Sequence, residues 1–118
     1  MSKKIVIVGG SAAGMAAAGR SKRLSPDLDI HILETSKFIS YNICSLPYYV
    51  SGEIPSQQSL IKHTPESLKQ KYGIHAHTGC RALKILPWKR QLLYKDTDNR
   101  TQSSLDYDKL VLATGYKP

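Results

Sequence analysis

Lys4-Ile5-Val6-Ile7-Val8-Gly9-Gly10-Ser11-Ala12-Ala13-Gly14 is the stretch that decides the fold. Ile5 to Val8 are β-branched and apolar with no polar alternation, the pattern of a parallel strand covered on both faces. The run ends in a glycine pair. Ala12 to Leu24 is rich in alanine and free of proline, which suits a helix packed closely on a sheet. Ser25-Pro26-Asp27 ends that helix, and Asp29 to Leu33 reads as a second strand with Glu34 at its end. Strand, helix and strand in about 30 residues make a βαβ unit. Gly9 to Gly14 is G-x-S-x-x-G, a dinucleotide fingerprint with serine at the middle glycine. Gly9 permits the tight turn, Ser11 and Ala12 are small enough for a pyrophosphate to approach, and Gly14 lets the helix sit close to the sheet. The helix start offers free N–H groups to phosphates. Glu34 follows Gly14 by 20 residues, where a carboxylate can accept from both ribose hydroxyls. The competing reading is a glycine-rich turn that binds nothing.

Further along, residues 36–63 read mostly as loop, with a short helix near Cys44 to Val50. Thr64-Pro65-Glu66 starts a helix: Thr64 as N-cap, Pro65 in the first turn, Glu66 near the positive helix end. Gly73 stops it after Tyr72. Strands near Ile74–His77, Ala82–Leu86, Gln91–Tyr94 and Gln102–Tyr107 form a meander with a polar turn at Asp96–Arg100. Lys109 to Ala113 is a last buried strand, ended by Thr114-Gly115. The expected class is α/β, a parallel sheet plus an antiparallel β-meander.

Composition narrows the functions. The chain has 118 residues, 41% of them hydrophobic and 22% charged, which excludes wholesale disorder and allows one domain. No apolar run approaches the ~20 residues of a membrane span. Gly9 and Gly10 cut the run after Lys3-Lys4 too short for a signal peptide, so a cytoplasmic protein without membrane contact is expected. Seventeen Lys and Arg against nine Asp and Glu give a net charge of +8, which fits nucleic acid, a phosphorylated small molecule or a solvated face. A nucleic-acid partner is not expected: it calls for aromatic or basic repeats, and Glu34 would repel phosphate.

Two cysteines exclude a disulfide scaffold and a cysteine-based zinc site. Cys44 lies in Ser40-Tyr41-Asn42-Ile43-Cys44-Ser45-Leu46-Pro47-Tyr48-Tyr49. A helix capped by Ser40 or Asn42 would put the thiol in its first turn, where the positive end raises the thiolate fraction. The alternative is a small buried hydrophobe, the reading that Cys80 receives. His31, His63, His75 and His77 show no ligand spacing. His75 and His77 alternate on one strand face, where solvated side chains and no metal are expected.

Taken together, these stretches resemble the N-terminal FAD-binding part of the pyridine nucleotide–disulfide oxidoreductases. Lys4 to Met15, Ile39 to Tyr49 and Tyr107 to Gly115 carry the resemblance, supported by Thr64 to Leu68 and Lys71 to Ile74. The chain resembles most the single-cysteine branch: coenzyme A-disulfide reductases, persulfide reductases, NADH oxidases and peroxidases. The resemblance implies a Rossmann-like FAD-binding unit over residues 1–118, an incomplete domain that is inactive by itself and belongs to a homodimeric enzyme. FAD would contact Gly9, Ser11, Ala12, Ala13, Gly14, Glu34, Thr35, Ala82, Ala113, Thr114 and Gly115. Cys44 would be the sole redox thiol, since Tyr49 stands where two-cysteine members carry the second. NADH or NADPH would reduce FAD, the flavin would reduce oxidised Cys44, and its thiolate would attack the next small-molecule disulfide. Arg20, Arg23 and Ser40 would lie along the coenzyme A channel. Ile43 and Ser45 depart from the usual residues beside the cysteine, so coenzyme A disulfide, persulfide, oxygen and peroxide all stay open as acceptors. A non-catalytic NAD(H)-binding module is the reading from another class, and Cys44 in its motif argues against it.

Overall fold

The computed structural model describes residues 3–10, 12–36 and 64–115. Strand β1 (Lys4–Val8) leads through the glycine turn into α1 (Ala12–Leu24) and then β2 (Asp29–Glu34). Helix α2 (Pro65–Tyr72) precedes β3 (His75–Thr78), and β4 (Cys80–Leu86), β5 (Gln91–Asp96), β6 (Thr101–Asp106) and β7 (Lys109–Leu112) follow. The expected helix near Cys44 to Val50 lies outside the described residues.

A four-stranded parallel sheet runs β3-β2-β1-β7, and β4-β5-β6 form an antiparallel sheet. The sequence puts Ile74–His77 in the meander, but β3 is the edge strand of the parallel sheet. Ile74 is why: it is buried with Leu68, Ile30 and Ile32 beneath the helices, and this draws the strand beside β2. Gly79, at φ +66, then turns the chain out of that sheet into β4.

The unbroken apolar run of β1 is explained by burial on both sides. Ile7, Ile30 and Ile32 pack with Ala18, Leu68 and Ile74 against the helices. Val6 and Leu33, one residue out of phase, pack with Cys80 and Leu92 beneath the meander. This two-residue alternation sends every second side chain of a strand to the opposite core. Alanine-rich α1 brings its backbone close enough for Ala18 to be fully buried. Helix α2 carries the predicted caps: Ser67 N–H donates to Thr64 Oγ1 at 3.1 Å, Thr64 N–H donates to Ser67 Oγ at 3.0 Å, and Gly73 closes it at φ +67.

Candidate functional site

Three strand ends converge at the glycine turn. Gly9 N–H donates to Leu33 O at 2.8 Å, and Ala113 N–H donates to Val8 O at 2.8 Å, so the ends of β1, β2 and β7 are tied together. Gly9 sits at φ +112, and a Cβ there would fall 2.6 Å from the Ala113 carbonyl carbon, with the carbonyl oxygen nearer still. A Cβ on Gly14 would overlap the Gly9 carbonyl, 2.8 Å from its carbon. Both contacts are with backbone, which cannot swing aside as a flexible side chain can. The glycines are therefore demanded by close approach of strand, turn and helix, and they leave the start of α1 at the carboxyl edge of the sheet. Open parallel sheets bind ligands at that edge.

Glu34 completes the edge. Its Oε1 accepts from Gly10 N–H at 2.9 Å and its Oε2 from Ser36 N–H at 2.8 Å. Each carboxylate oxygen retains a second lone-pair direction, so the pinned group can still accept from a ligand hydroxyl. The sequence placed Glu34 at the strand end, but not these backbone bonds, which depend on how the turn folds back over β2.

The other expected nucleotide contacts divide. Ala13 on α1 and Thr35 beside Glu34 are exposed; α1 begins at Ala12, and Ser11 lies outside the described residues. Ala113 is half-buried, whereas Thr114 and Gly115, the latter at φ +74, are exposed beyond the end of β7. Ala13, Thr35, Ala113, Thr114 and Gly115 share the carboxyl edge with Gly9, Gly14 and Glu34. Ala82 instead sits on β4 of the meander and packs in the cluster that holds Val8 and Leu33.

Cys44 and Ser40 lie outside the described residues. Cys80 is buried, and its thiol donates weakly to Thr78 O at 3.5 Å. Burial pushes its pKa up, with Asp96 and Asp98 adding to the shift, so it stays a protonated thiol. Arg20 and Arg23 are both exposed on α1. Arg23 lines a cleft of ≈ 580 Å³ between α1 and α2, with Lys22, Lys71, Met15, Leu68 and Tyr72 among its walls. Arg20 does not line it.

The sequence reading missed a cluster of imidazoles. It treated the strand histidines as solvated and separate, yet the parallel pairing of β2 with β3 sets His31 opposite His75 and Leu33 opposite His77. His31 Nδ1 lies 3.0 Å from His77 Nε2, and His31 stacks on His75 with ring centroids 4.7 Å apart. Asp29 Oδ1 lies 3.0 Å from His31 Nε2 and 3.7 Å from His75 Nε2. Burial lowers the pKa of His31 more than Asp29 raises it. Burial also lowers that of His77, helped by the neighbouring imidazoles. Alternation of Asp29 with His31 and of His75 with His77 was visible, but only the β2–β3 register makes one cluster of the two pairs.

The sequence profile of the pyridine nucleotide-disulphide oxidoreductases matches residues 3–118. The NAD(P)H coenzyme A polysulfide/persulfide reductase of Pyrococcus horikoshii is 35% identical over 118 residues, which are 100% of this chain and 25% of that protein. An NADH oxidase of Methanocaldococcus jannaschii is 31% identical, over 98% of this chain and 25% of its own length. The crystal structure of reduced Bacillus anthracis CoADR-RHD superposes with a TM-score of 0.94 at 33% identity, covering 100% of this chain and 21% of that one. The chain thus spans about a quarter of the curated relatives it matches.

Proposed function

The chain belongs to the pyridine nucleotide-disulphide oxidoreductases, and from that premise we propose that it supplies the FAD-binding part of an NAD(P)H-linked thiol–disulfide oxidoreductase. The observation that carries this reading is the pinned Glu34 carboxylate beside the glycine turn, at the joined ends of β1, β2 and β7. The cradle fits a dinucleotide: Gly9 and Gly14 let strand, turn and helix close up at the carboxyl edge, and the first turn of α1 offers N–H groups there. Gly9, Ser11, Ala12, Ala13 and Gly14 would hold the pyrophosphate and Glu34 the ribose, with Thr35, Ala113, Thr114 and Gly115 along the same edge and Ala82 on β4. Bound FAD supplies two-electron transfer from NADH or NADPH.

The chain's own contribution to the chemistry is Cys44. Its thiolate attacks one sulfur of a disulfide, forming a Cys44 mixed disulfide and releasing one thiolate. Two electrons and a proton then return Cys44 to a thiolate and free the second half as a thiol. Protonated Cys80 is no candidate for that attack. Coenzyme A disulfide or persulfide is the proposed substrate class, supported by the name of the Pyrococcus relative and by basic Arg23, Lys22 and Lys71 around the cleft. Arg20, Arg23 and Ser40 are the proposed substrate contacts, in a homodimer that works in the cytoplasm. Among the described residues no helix is long and apolar enough to cross a membrane. The Methanocaldococcus relative favours oxygen or peroxide as a second reading of the acceptor.

Cys44→Ser in the full-length enzyme tests this assignment. It is expected to keep its flavin and lose at least 100-fold in coenzyme A disulfide turnover, because serine forms no mixed disulfide. Turnover equal to the parent would refute it. A parent enzyme that oxidises NADH with oxygen or peroxide but never with disulfide would select the second reading.

A further inference from the structure

We propose that Asp29, His31 and His75 form a binding site for one divalent transition-metal ion on the β2–β3 edge of the parallel sheet. One donor atom from each of the three residues lies within 4.8 Å of the other two, and both Nε2 atoms face Asp29 Oδ1. A tetrahedral ion about 2.0–2.2 Å from each donor needs neighbours about 3.3 Å apart. The Asp29–His31 separation of 3.0 Å and the Asp29–His75 separation of 3.7 Å bracket that spacing. His31 and His75 are stacked, so the more exposed His75 ring turns out of the stack to bring both lone pairs onto the ion. The ion replaces a proton between Asp29 and His31.

His77 completes the arrangement without binding the ion. With His31 Nδ1–H donating to His77 Nε2 at 3.0 Å, the lone pair of His31 is fixed on Nε2, where the ion sits. Two imidazoles and one carboxylate suit zinc, copper or nickel more than magnesium or calcium. Three protein donors also leave room for water on the ion. The side chain of His31 is 14% exposed while those of Asp29 and His75 are 34% and 40% exposed, so the site has a buried wall and an open rim. Lys4, aligned with Asp29 across the β1–β2 pair, opposes the ion's charge and keeps the affinity below that of a four-ligand structural site. Asp29 opens β2 and Glu34 closes it, about 16 Å apart at ~3.3 Å per residue. The ion is therefore separate from the glycine turn, and metal loading is expected to leave flavin content unchanged.

The test is titration of metal-free full-length protein with zinc and with cobalt(II). The expected result is one equivalent of bound metal, with no thiolate-to-cobalt charge-transfer absorption. Asp29→Asn and His75→Gln should each weaken zinc binding at least tenfold, and His77→Gln should weaken it less. In the parent, zinc must also shift the imidazole NMR signals of His31 and His75. Absence of saturable binding, a thiolate absorption, or Asp29→Asn and His75→Gln variants that bind like the parent would each overturn the proposal. Unshifted His31 and His75 signals would overturn it however the variants fold.

Discussion

At the C-terminal end of β2 the carboxylate of Glu34 answers backbone N–H groups, whereas at the start of the same strand Asp29 and His31 answer other side chains. The first arrangement is built on close backbone approach. Gly9 and Gly14 allow turn, strand and helix to touch, and Glu34 then falls into place by spacing alone. The second depends on register, because His75 and His77 reach His31 only when β3 pairs beside β2. Backbone-built geometry is intolerant of added volume, while side-chain-built geometry can lose a partner and keep its strands.

That difference is broken most severely by Gly14→Val, which forces a branched side chain into the Gly9 carbonyl. Overpacking costs about 1–3 kcal/mol even where side chains can give way, and here backbone must move. Urea denaturation should show a loss of 3 kcal/mol or more, against under ~1 kcal/mol for His77→Gln at the partly exposed cluster. Equal losses would erase the distinction. Ile32→Ala comes next, because Ile32 is fully buried beneath the helices, between the two ends. A loss of about 3 kcal/mol is expected, and metal and flavin affinities should suffer together.

Thr64→Ala sharpens the comparison at a smaller scale. It removes the cap of α2, which packs behind β3, so about 1 kcal/mol should be lost with flavin affinity unchanged. The smallest effect concerns Cys80. Its pKa in the fold is raised above 9.0, so the native state keeps a proton that the unfolded chain releases. The stability it contributes is full below pH 9.0 and is lost as pH rises through the raised native value. Urea midpoints at pH 8 and pH 10 should therefore fall less in Cys80→Ala than in the parent.

The glycine turn, α1, α2 with its Thr64 and Gly73 ends, and the carboxylate position were legible because each follows from residues near in sequence. The short-range signals failed at β3. His75 and His77 look like the first strand of a meander until Ile74 is seen buried against Leu68 and Ile32, contacts that span 42 residues between Ile32 and Ile74. The histidine cluster was invisible for the same reason, since its members belong to two strands whose pairing no local pattern states. The Glu34 bonds to Gly10 and Ser36 were hidden differently: the spacing predicts a carboxylate at the strand end but not the folding of the turn over it.

The central claim is that Glu34 is held ready for a nucleotide ribose, and flavin affinity tests it most directly. In full-length protein, Glu34→Gln keeps one side-chain oxygen for the turn, whereas Glu34→Leu keeps none. Flavin dissociation constants measured by fluorescence titration, in variants whose urea midpoints match the parent's, should rise at least tenfold for Glu34→Leu and less for Glu34→Gln. A Glu34→Leu protein that is folded and binds flavin as tightly as the parent would contradict the account.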